Sequence, residues 1–348
     1  MTTFAVKPNP SETLNRRFTA APMMDWSDSH CRSFWRLLSK KTMFYSEMIT
    51  TGAIIHGDRN RFLDCNVQEH PLALQLGGSD AKALAECARI AEDWGYDEVN
   101  LNCGCPSDRV QNNMIGACLM AEPKLVADCI AAMQNAVKIP VTIKHRIGID
   151  DMEDYSGLVN FVSKVAETGC KTFIVHARKA WLKGLSPKEN REVPPLQYDK
   201  VVQLKKDYPA LEIIINGGIK TLEQSLSLLT EVDGVMLGRE IYTNPYLLAE
   251  VDQKIFGVTQ NIVSREDVIE GFIDYAEAQL HKGIRLNYLT RHILGLYQGI
   301  PGARSFRRII SEQAHKPNAG TEVIKQAVKA LNEIPEALNE VPFVTELT

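Results

Sequence analysis

Cysteines, asparagines and a lysine at the ends of apolar segments are the residues of this chain best placed to do chemistry. The segment from Asn100 to Arg109 reads Asn-Leu-Asn-Cys-Gly-Cys-Pro-Ser-Asp-Arg and begins within a short apolar run. A thiol in a Gly- and Pro-containing loop directly after a strand is placed for chemistry rather than for packing. The pair Cys103 and Cys105 lacks the further Cys pair that a zinc site would need, and a disulfide across one residue would be strained. We therefore predict one reactive thiol, Cys105, with Cys103 as a small apolar neighbour.

Lys144, His176 and Gln75 each stand at the end of an apolar segment. An ammonium group in that position is costly unless it meets an anion. A reduced flavin, which carries negative charge around N1 and the C2 carbonyl, is such an anion, and Gln75 offers the donor and the acceptor that a flavin edge requires. The alternative is that Lys144 pairs with Glu47 or Asp25.

Two neighbouring segments have the features of a phosphate site. Asn216-Gly217-Gly218-Ile219 follows an apolar run and leads through Lys220-Thr221 into a predicted helix, and Gly238-Arg239 ends the next run. Glycines let backbone N–H groups approach an anion, the start of a helix adds positive potential, and arginine binds phosphate in a bidentate manner. A lone Gly-Gly is usually a turn, so the prediction depends on both features occurring together.

Eight apolar segments predict the strands that position these residues. Each is rich in Val, Ile, Phe or Leu and too continuous for a strand with one solvated face, which indicates a parallel sheet buried on both faces. The predicted strands are Phe18–Met23, Met43–Met48, Pro71–Leu76, Glu98–Asn102, Pro140–His145, Thr172–His176, Glu212–Asn216 and Gly234–Leu237. Helices are predicted over Ser27–Lys40, Asp80–Trp94, Lys124–Val137, Asp154–Glu167, Asp199–Lys206 and Leu222–Leu229, whereas Thr50–His70 shows no helical pattern.

This alternation predicts an α/β fold, a (β/α)₈ TIM barrel followed by a small all-α C-terminal domain. Eight strands and their helices within about 255 residues fit a barrel, and no GxGxxG follows the first strand as in a dinucleotide-binding sheet. The predicted C-terminal helices are Val268–Lys282, Leu286–Tyr297, Ala303–Glu312 and Glu322–Glu333. The expected segments are a polar N-terminal extension (1–17), the barrel (18–260) and the helical domain (261–348). In such a barrel the active site lies at the carboxyl ends of the strands, which is where the polar residues described above stand.

Composition and charge narrow the class of protein. The chain has 348 residues, 45% of them hydrophobic, a net charge of −4 and eight cysteines, too few for a disulfide scaffold. We expect a cytoplasmic protein, because no signal peptide or membrane span is apparent. Residues 281–316 nevertheless hold seven cations against the single acid Glu312. Such a run is usually a solvated surface, but here, on a domain that follows a barrel, it favours contact with nucleic-acid phosphates.

Several of these motifs together resemble the tRNA-dihydrouridine synthases. The matching segments are Ala21-Pro-Met-Met-Asp-Trp, Gln75-Leu-Gly-Gly, Asn100-Leu-Asn-Cys-Gly-Cys-Pro-Ser, Lys144-His-Arg-Ile-Gly, His176-Ala-Arg, Ile215-Asn-Gly-Gly-Ile and Gly238-Arg. The segments that begin at Ser46, His176 and Gly299 look like those of the bacterial A subfamily. The match extends from about Phe18 to His315. Cys103 departs from the family pattern, in which an apolar residue precedes Gly-Cys-Pro.

The resemblance implies an oxidoreductase acting on CH–CH groups. FMN, reduced by NADPH, would reduce the C5–C6 double bond of uridine in the tRNA D-loop at positions 20 and 20a, with Cys105 as the proton donor to C5. The residues that would bind FMN are Pro22, Met23, Met24, Gln75, Lys144, His176, Asn216, Gly217, Gly218, Gly238 and Arg239. The residues that would contact tRNA are Asn102, Lys188, Arg191, Arg304 and Arg307. We expect no metal.

Two alternative functions share some of these features. An FMN-dependent barrel oxidoreductase acting on a free pyrimidine would use the phosphate site and Lys144 but would not need the basic segment 281–316. A tRNA-binding protein without redox chemistry would use that segment but not Cys105. Activity on tRNA, activity on free uracil and the presence of flavin distinguish the three.

Overall fold

A computed structural model of the chain describes residues 14–107, 114–152 and 154–332. Its eight strands form a closed barrel in chain order, and each strand is parallel to its neighbours. The strands are β1 Phe18–Ala20, β2 Met43–Thr50, β3 Leu72–Gly77, β4 Glu98–Cys103, β5 Val141–Arg146, β6 Thr172–His176, β7 Glu212–Asn216 and β8 Gly234–Leu237. The predicted (β/α)₈ barrel is confirmed.

The predicted helices between the strands are present, with bounds that differ by a few residues. The helices from the first strand to the end of the barrel are Ser29–Leu38, Thr51–His56, Arg59–Leu63, Ala81–Asp93, Pro123–Ala136, Tyr155–Ala166, Tyr198–Asp207, Leu222–Leu228, Arg239–Thr243 and Val251–Lys254. Asp80 and Thr221 cap two of them by accepting from the backbone N–H groups of Ala83 and Gln224. The glycines at 95 and 169 end helices with φ values of 92° and 91°, which side chains disfavour.

The expectation that Thr50–His70 lacks helices is wrong. This stretch contains the helices Thr51–His56 and Arg59–Leu63 and a 3₁₀ turn at Val67–Glu69. Each helix begins at its own side-chain cap, because Thr50 accepts from Ala53 N and Asp58 accepts from the N–H groups of residues 60 and 61. Helices this short do not repeat an apolar period, so hydrophobic patterning does not reveal them.

Contacts among the described residues divide the chain into two compact units. One extends to Ile241 and includes Leu247–Ile262, and the other contains Tyr242–Tyr246 and the chain from Val263 onward. The second unit has helices at Arg265–His281, Leu286–Thr290, Ala303–Gln313 and Glu322–Asn332. The predicted segments 1–17, 18–260 and 261–348 stay a prediction. Residues 1–13 and 333–348, including the predicted helix end at Glu333, lie outside the described residues, as do Asp108 and Arg109.

The predicted helix Leu286–Tyr297 ends early, at Thr290. A Cβ on Gly295 would stand 2.4 Å from the backbone oxygen of Thr243, so the chain passes directly against another backbone there. Residues 291–300 form turns instead, with i→i+3 hydrogen bonds such as Leu296 N to Ile293 O at 2.9 Å. Glycine also lowers helix propensity, which favours this ending.

The interior of the barrel holds an apolar cluster and, beside it, polar side chains of β3, β4 and β5. Side chains of alternate strand positions point inward and form a buried cluster: Ala21, Met43, Tyr45, Ala73, Ile174, Ile214 and Met236. Polar side chains of β3, β4 and β5 lie in the same interior with almost no exposure, among them Gln75, Asn100 and Thr142. Every helix in the described ranges is too short or too polar to cross a lipid bilayer.

Candidate active site

A cavity of about 530 Å³ opens at the carboxyl ends of the strands. This volume lies within the range of small-molecule sites. All the residues predicted to bind a cofactor line it: Pro22, Met23, Met24, Gln75, Lys144, His176, Asn216, Gly217, Gly218, Gly238 and Arg239. Asn102, Cys105 and Arg191 line it as well. The fold thus brings residues from almost every strand end into one wall.

Cys105 is held at the cavity by its backbone. Asn102 Oδ1 accepts hydrogen bonds from Gly104 N at 3.1 Å and from Cys105 N at 3.0 Å, and Cys105 O accepts from Ala117 N at 2.8 Å. Cys103, by contrast, has no exposed surface, and burial raises the pKa of its thiol well above the usual value. The two neighbouring thiols therefore differ in access: one lines the cavity and the other is packed in the wall.

Lys144 donates from Nζ to Asn216 Oδ1 at 3.0 Å, and Asn216 Nδ2 donates in turn to Met236 O at 2.7 Å. Burial, and next the nearby positive charge of Arg146, lower the pKa of Lys144 to about 7. Glu47 accepts instead from the backbone N–H of Asp25. The Lys144 ammonium group therefore donates to a neutral amide.

His176 and the two glycines of the next strand end form one corner of the cavity. Burial, together with the positive charges of Arg146 and Lys144, lowers the pKa of His176 well below 6.5, so its imidazole is neutral at pH 7. Gly217 and Gly218 have φ values of 120° and 67°, and a Cβ at either position would stand 2.7 Å or less from the side chain of His176 or Leu196. Only glycine fits there, and the wall at this corner is bare backbone.

Arg239 lies two residues after β8, at the start of the helix Arg239–Thr243, and lines the same side of the cavity. Its Nη1 lies 2.7 Å from Glu192 Oε1, and both side chains are more than two-fifths exposed. Exposed ion pairs of this kind are weak, so an incoming phosphate can replace the carboxylate.

Arg146 is a site residue to which the sequence patterns assign no role. It is 2% exposed and donates to three backbone carbonyls: Nε to Gly104 O at 2.9 Å, and Nη1 to Lys179 O at 3.0 Å and to Asn190 O at 2.9 Å. It joins the Cys105 loop to the loop after β6. The sequence feature that could have identified it is an arginine in a buried strand with no acidic residue within three positions.

The predicted tRNA-contacting residues fall into separate places. Lys188 and Arg191 belong to the loop after β6, both exposed, and Arg191 also lines the cavity. Arg304 and Arg307 lie on the helix Ala303–Gln313 of the second unit, whose Phe306 and Ile310 are buried. No group of three or more His, Cys, Asp or Glu side chains in the described parts of the chain is arranged to hold a metal ion.

The sequence profile of a family described as dihydrouridine synthase (Dus) matches residues 19–334. A protein of Shewanella oneidensis called tRNA-dihydrouridine(20/20a) synthase is 59% identical over 323 residues, which cover 93% of this chain and 96% of that protein. The protein of the same name from Pseudomonas syringae pv. tomato is 59% identical over 94% of this chain and 98% of its own length. That from Yersinia pestis is 58% identical over 90% and 91%.

Among solved structures, the crystal structure of TcOYE with pHBA superposes with a TM-score of 0.51 at 13% identity. The match covers 74% of this chain and 93% of that chain. At this identity the likeness concerns the barrel fold alone.

Proposed function

The chain belongs to the dihydrouridine synthase family, and from that premise we propose that it reduces the C5–C6 double bond of uridine in the tRNA D-loop, at positions 20 and 20a, with FMN as cofactor and NADPH as reductant. The relatives that carry this name cover nearly the whole chain. The observation that carries the proposal for this chain is the cavity that Cys105, Lys144, the Gly217–Gly218 corner and Arg239 share. Since tRNA and NADPH are cytoplasmic, we propose that the protein acts there.

The residues that line the cavity fit the phosphate group and the ring system of FMN. The glycine corner offers backbone without side chains, and Arg239 beside it is a cation that pairs with the exposed carboxylate of Glu192. Together they provide a phosphate site at β7 and β8, the place where barrels commonly bind phosphate. Lys144 and Gln75 provide a cation and an amide for the polar edge of an isoalloxazine ring, and His176 is neutral. Pro22, Met23, Met24, Asn216 and Gly238 complete the wall.

The protein's own contribution to the reaction is a proton and a set of positive charges. Bound FMN supplies hydride to C6 of the uracil ring. Negative charge then builds toward O4, and the Cys105 thiol gives its proton to C5. The thiolate that remains interacts electrostatically with Lys144, Arg146 and Arg191, which line the same cavity. These cations stabilise the charged sulfur until solvent returns a proton.

The tRNA contacts are proposed from charge and access. Asn102 uses its oxygen for the Cys105 loop and one Nδ2 hydrogen for Gln75 Oε1 at 2.8 Å, so its second Nδ2 hydrogen is the donor for the target base. Lys188 and Arg191 at the barrel, and Arg304 and Arg307 in the helical segment 261–348, are proposed to contact phosphates. The target uridine must leave its stack to enter the cavity, at a cost of a few kcal/mol.

The test is reduction of unmodified tRNA by the full chain with FMN and NADPH, followed by mapping of dihydrouridine. We expect modification at positions 20 and 20a. Free uracil is the control substrate: its reduction without reduction of tRNA would replace this proposal by the small-molecule oxidoreductase. A protein that binds tRNA but purifies without flavin and reduces neither substrate would be a tRNA-binding protein without redox chemistry.

A further inference from the structure

A continuous chain of hydrogen bonds runs through the barrel interior from the cavity to the opposite end of the barrel. Asn102 Nδ2 donates to Gln75 Oε1, and Gln75 Nε2 donates to Asn100 Oδ1, both at 2.8 Å. Asn100 Nδ2 donates to Thr142 Oγ1 at 2.8 Å, and Thr142 Oγ1 donates to Glu98 Oε1 at 2.6 Å. Residues 98, 100 and 102 are alternate positions of β4 and therefore face the same interior.

The groups at the two ends of this hydrogen-bond chain determine the direction in which each of its members donates. At the cavity, Asn102 Oδ1 accepts from the backbone N–H groups of residues 104 and 105, which can only donate. At the opposite end, Glu98 carries two acceptor oxygens, forms an ion pair with Arg16 at 2.6 Å and accepts from the Tyr45 hydroxyl at 2.8 Å. Every link between these ends therefore donates toward Glu98, and each amide has a single permitted orientation.

Because these residues are buried, reversing any one of the hydrogen bonds would be costly in free energy. Glu98 and Asn100 have no exposed surface, Gln75 and Thr142 are 1% exposed, and Asn102 is 8% exposed. A flipped amide would place oxygen against oxygen and nitrogen against a donor in a region without solvent, and unpaired buried polar groups are costly. Hydrogen bonds that all point one way also polarise one another and strengthen. The hydrogen-bond chain is therefore stable as a whole in one arrangement.

We propose that Glu98, Thr142 and Asn100 are positioning residues for the reaction of Cys105. They hold the amides of Gln75 and Asn102 in one orientation, and Asn102 through its two backbone contacts holds the Cys105 loop at the cavity. None of the three lines the cavity, so they act only through the residues that do. This inference rests on the proposed function for its kinetic consequence, whereas its structural part concerns the loop alone.

The test compares two threonines whose hydroxyl groups each donate to a carboxylate at 2.6 Å. Thr142→Val removes the hydroxyl that joins Asn100 to Glu98. Thr172→Val is the matched control, because the Thr172 hydroxyl also donates at 2.6 Å to a carboxylate, Glu212, which also pairs with Arg16. Thr172 is a link to the same ion-pair cluster but not a link to Asn100.

For Thr142→Val we expect kcat for dihydrouridine formation to fall about tenfold, the rate equivalent of one neutral hydrogen bond, with KM values for tRNA and NADPH within about twofold. Thr172→Val should keep kcat within about twofold. Its melting temperature should fall by about as much as that of Thr142→Val. Thr142→Ser, which retains the hydroxyl, should restore kcat. If valine at 142 prevents folding, Thr142→Cys, with its weak thiol donor, should lose part of the rate.

Amide hydrogen exchange of the segment that contains Gly104 and Cys105 supplies a readout that does not depend on activity. We expect faster exchange there in Thr142→Val than in the wild type or in Thr172→Val. Equal kcat and equal exchange in the two valine variants would overturn the inference and leave the proposed function intact. Faster exchange in a protein that reduces no tRNA would support the positioning of the loop and refute the proposed function.

Discussion

At the scale of single residues, access decides which thiol can act as the acid. Cys105 lines the cavity while the Cys103 side chain is completely buried in the barrel wall. Both lie within three positions of Asn102, and only their surroundings separate them. A proton donor must reach the carbon that it protonates, so we propose the accessible thiol, Cys105, as the acid.

Cys105→Ala is therefore expected to lower the rate of dihydrouridine formation about 10²- to 10⁴-fold, the contribution typical of a general acid. Flavin content and tRNA affinity should stay unchanged, since the thiol serves neither. The measurement is single-turnover formation of dihydrouridine together with the flavin absorption of the purified protein. Cys103→Ala is the control and should retain the rate; a large loss there with none at Cys105 would reverse the assignment.

Lys144 is expected to make the stability of the flavin-free protein depend on pH. Its pKa of about 7 when folded lies below the usual 10.5, so between these values the unfolded chain binds a proton that the folded chain does not. The folded state is therefore penalised most below pH 7, and the penalty fades as pH rises toward 10.5.

Lys144→Met should accordingly raise the melting temperature relative to wild type at pH 6 to 7, by an amount that shrinks as pH approaches 10. Thermal unfolding across this range measures it. Lys206→Met, at an exposed lysine, is the control and should give a difference independent of pH. A constant difference for Lys144→Met as well would show that its pKa is not shifted.

At the scale of elements, the loop after β6 depends on a side chain of β5. Arg146 donates to carbonyls of Gly104, Lys179 and Asn190, and the side chain of Asn190 holds the same loop through Trp181 N and O. The position of Lys188 and Arg191 therefore depends on this arginine of β5 as well as on contacts within the loop.

Arg146→Met should increase the rate of tryptic cleavage after residues 183, 188 or 191 by about tenfold. Losing even one hydrogen bond of a charged group raises the equilibrium constant for local opening of the loop by that factor or more. Mass spectrometry of timed digests identifies the sites. Arg36→Met is the matched control: Arg36 is also buried and donates to the carbonyls of Ser39 and Glu69. It should destabilise the protein without selectively exposing this loop, and cleavage at equal rates in both variants would contradict the role of Arg146.

At the scale of the whole molecule, each of the two compact units holds basic residues that we propose to contact tRNA. The barrel unit holds the cavity and the loop with Arg191, and the second unit holds the basic helix Ala303–Gln313. On this helix Arg304 and Arg308 are exposed and Arg307 lies within 3.4 Å of Gln298 Oε1, while the apolar face is buried. The net charge of −4 makes this local surplus the stronger sign of a polyanionic partner.

The double variant Arg304→Ala/Arg307→Ala should weaken tRNA binding and reduce the slope of log affinity against log salt by about one unit for each phosphate that is no longer neutralised. Titrations of unmodified tRNA at several salt concentrations measure both. Lys124→Ala/Lys206→Ala removes the same charge from exposed positions of the barrel unit and should leave the slope nearly unchanged. Equal effects of the two double variants would show that net charge, not this helix, attracts tRNA.

The outline of the barrel and the wall of its cavity follow from the sequence by itself. Strands buried on both faces are mostly apolar, so the polar residues toward their carboxyl ends, Gln75, Lys144 and His176, stand out, and closure of a parallel barrel brings these ends to one rim. Asn216, Gly217 and Arg239 reach the cavity for the same reason. The strands from Thr172, Glu212 and Gly234 were therefore predictable to the residue.

Only the tertiary structure decided which polar groups pair. Thr142 and Glu98 are 44 positions apart, Asn102 and Gln75 are 27 apart, and Arg146 joins loops 42 and 33 positions away. Such pairings depend on the register between strands and on side-chain orientation, and neither leaves a periodic trace in the chain. The early end of the helix at Thr290 has a similar cause, since it depends on a backbone contact with Thr243 across the second unit.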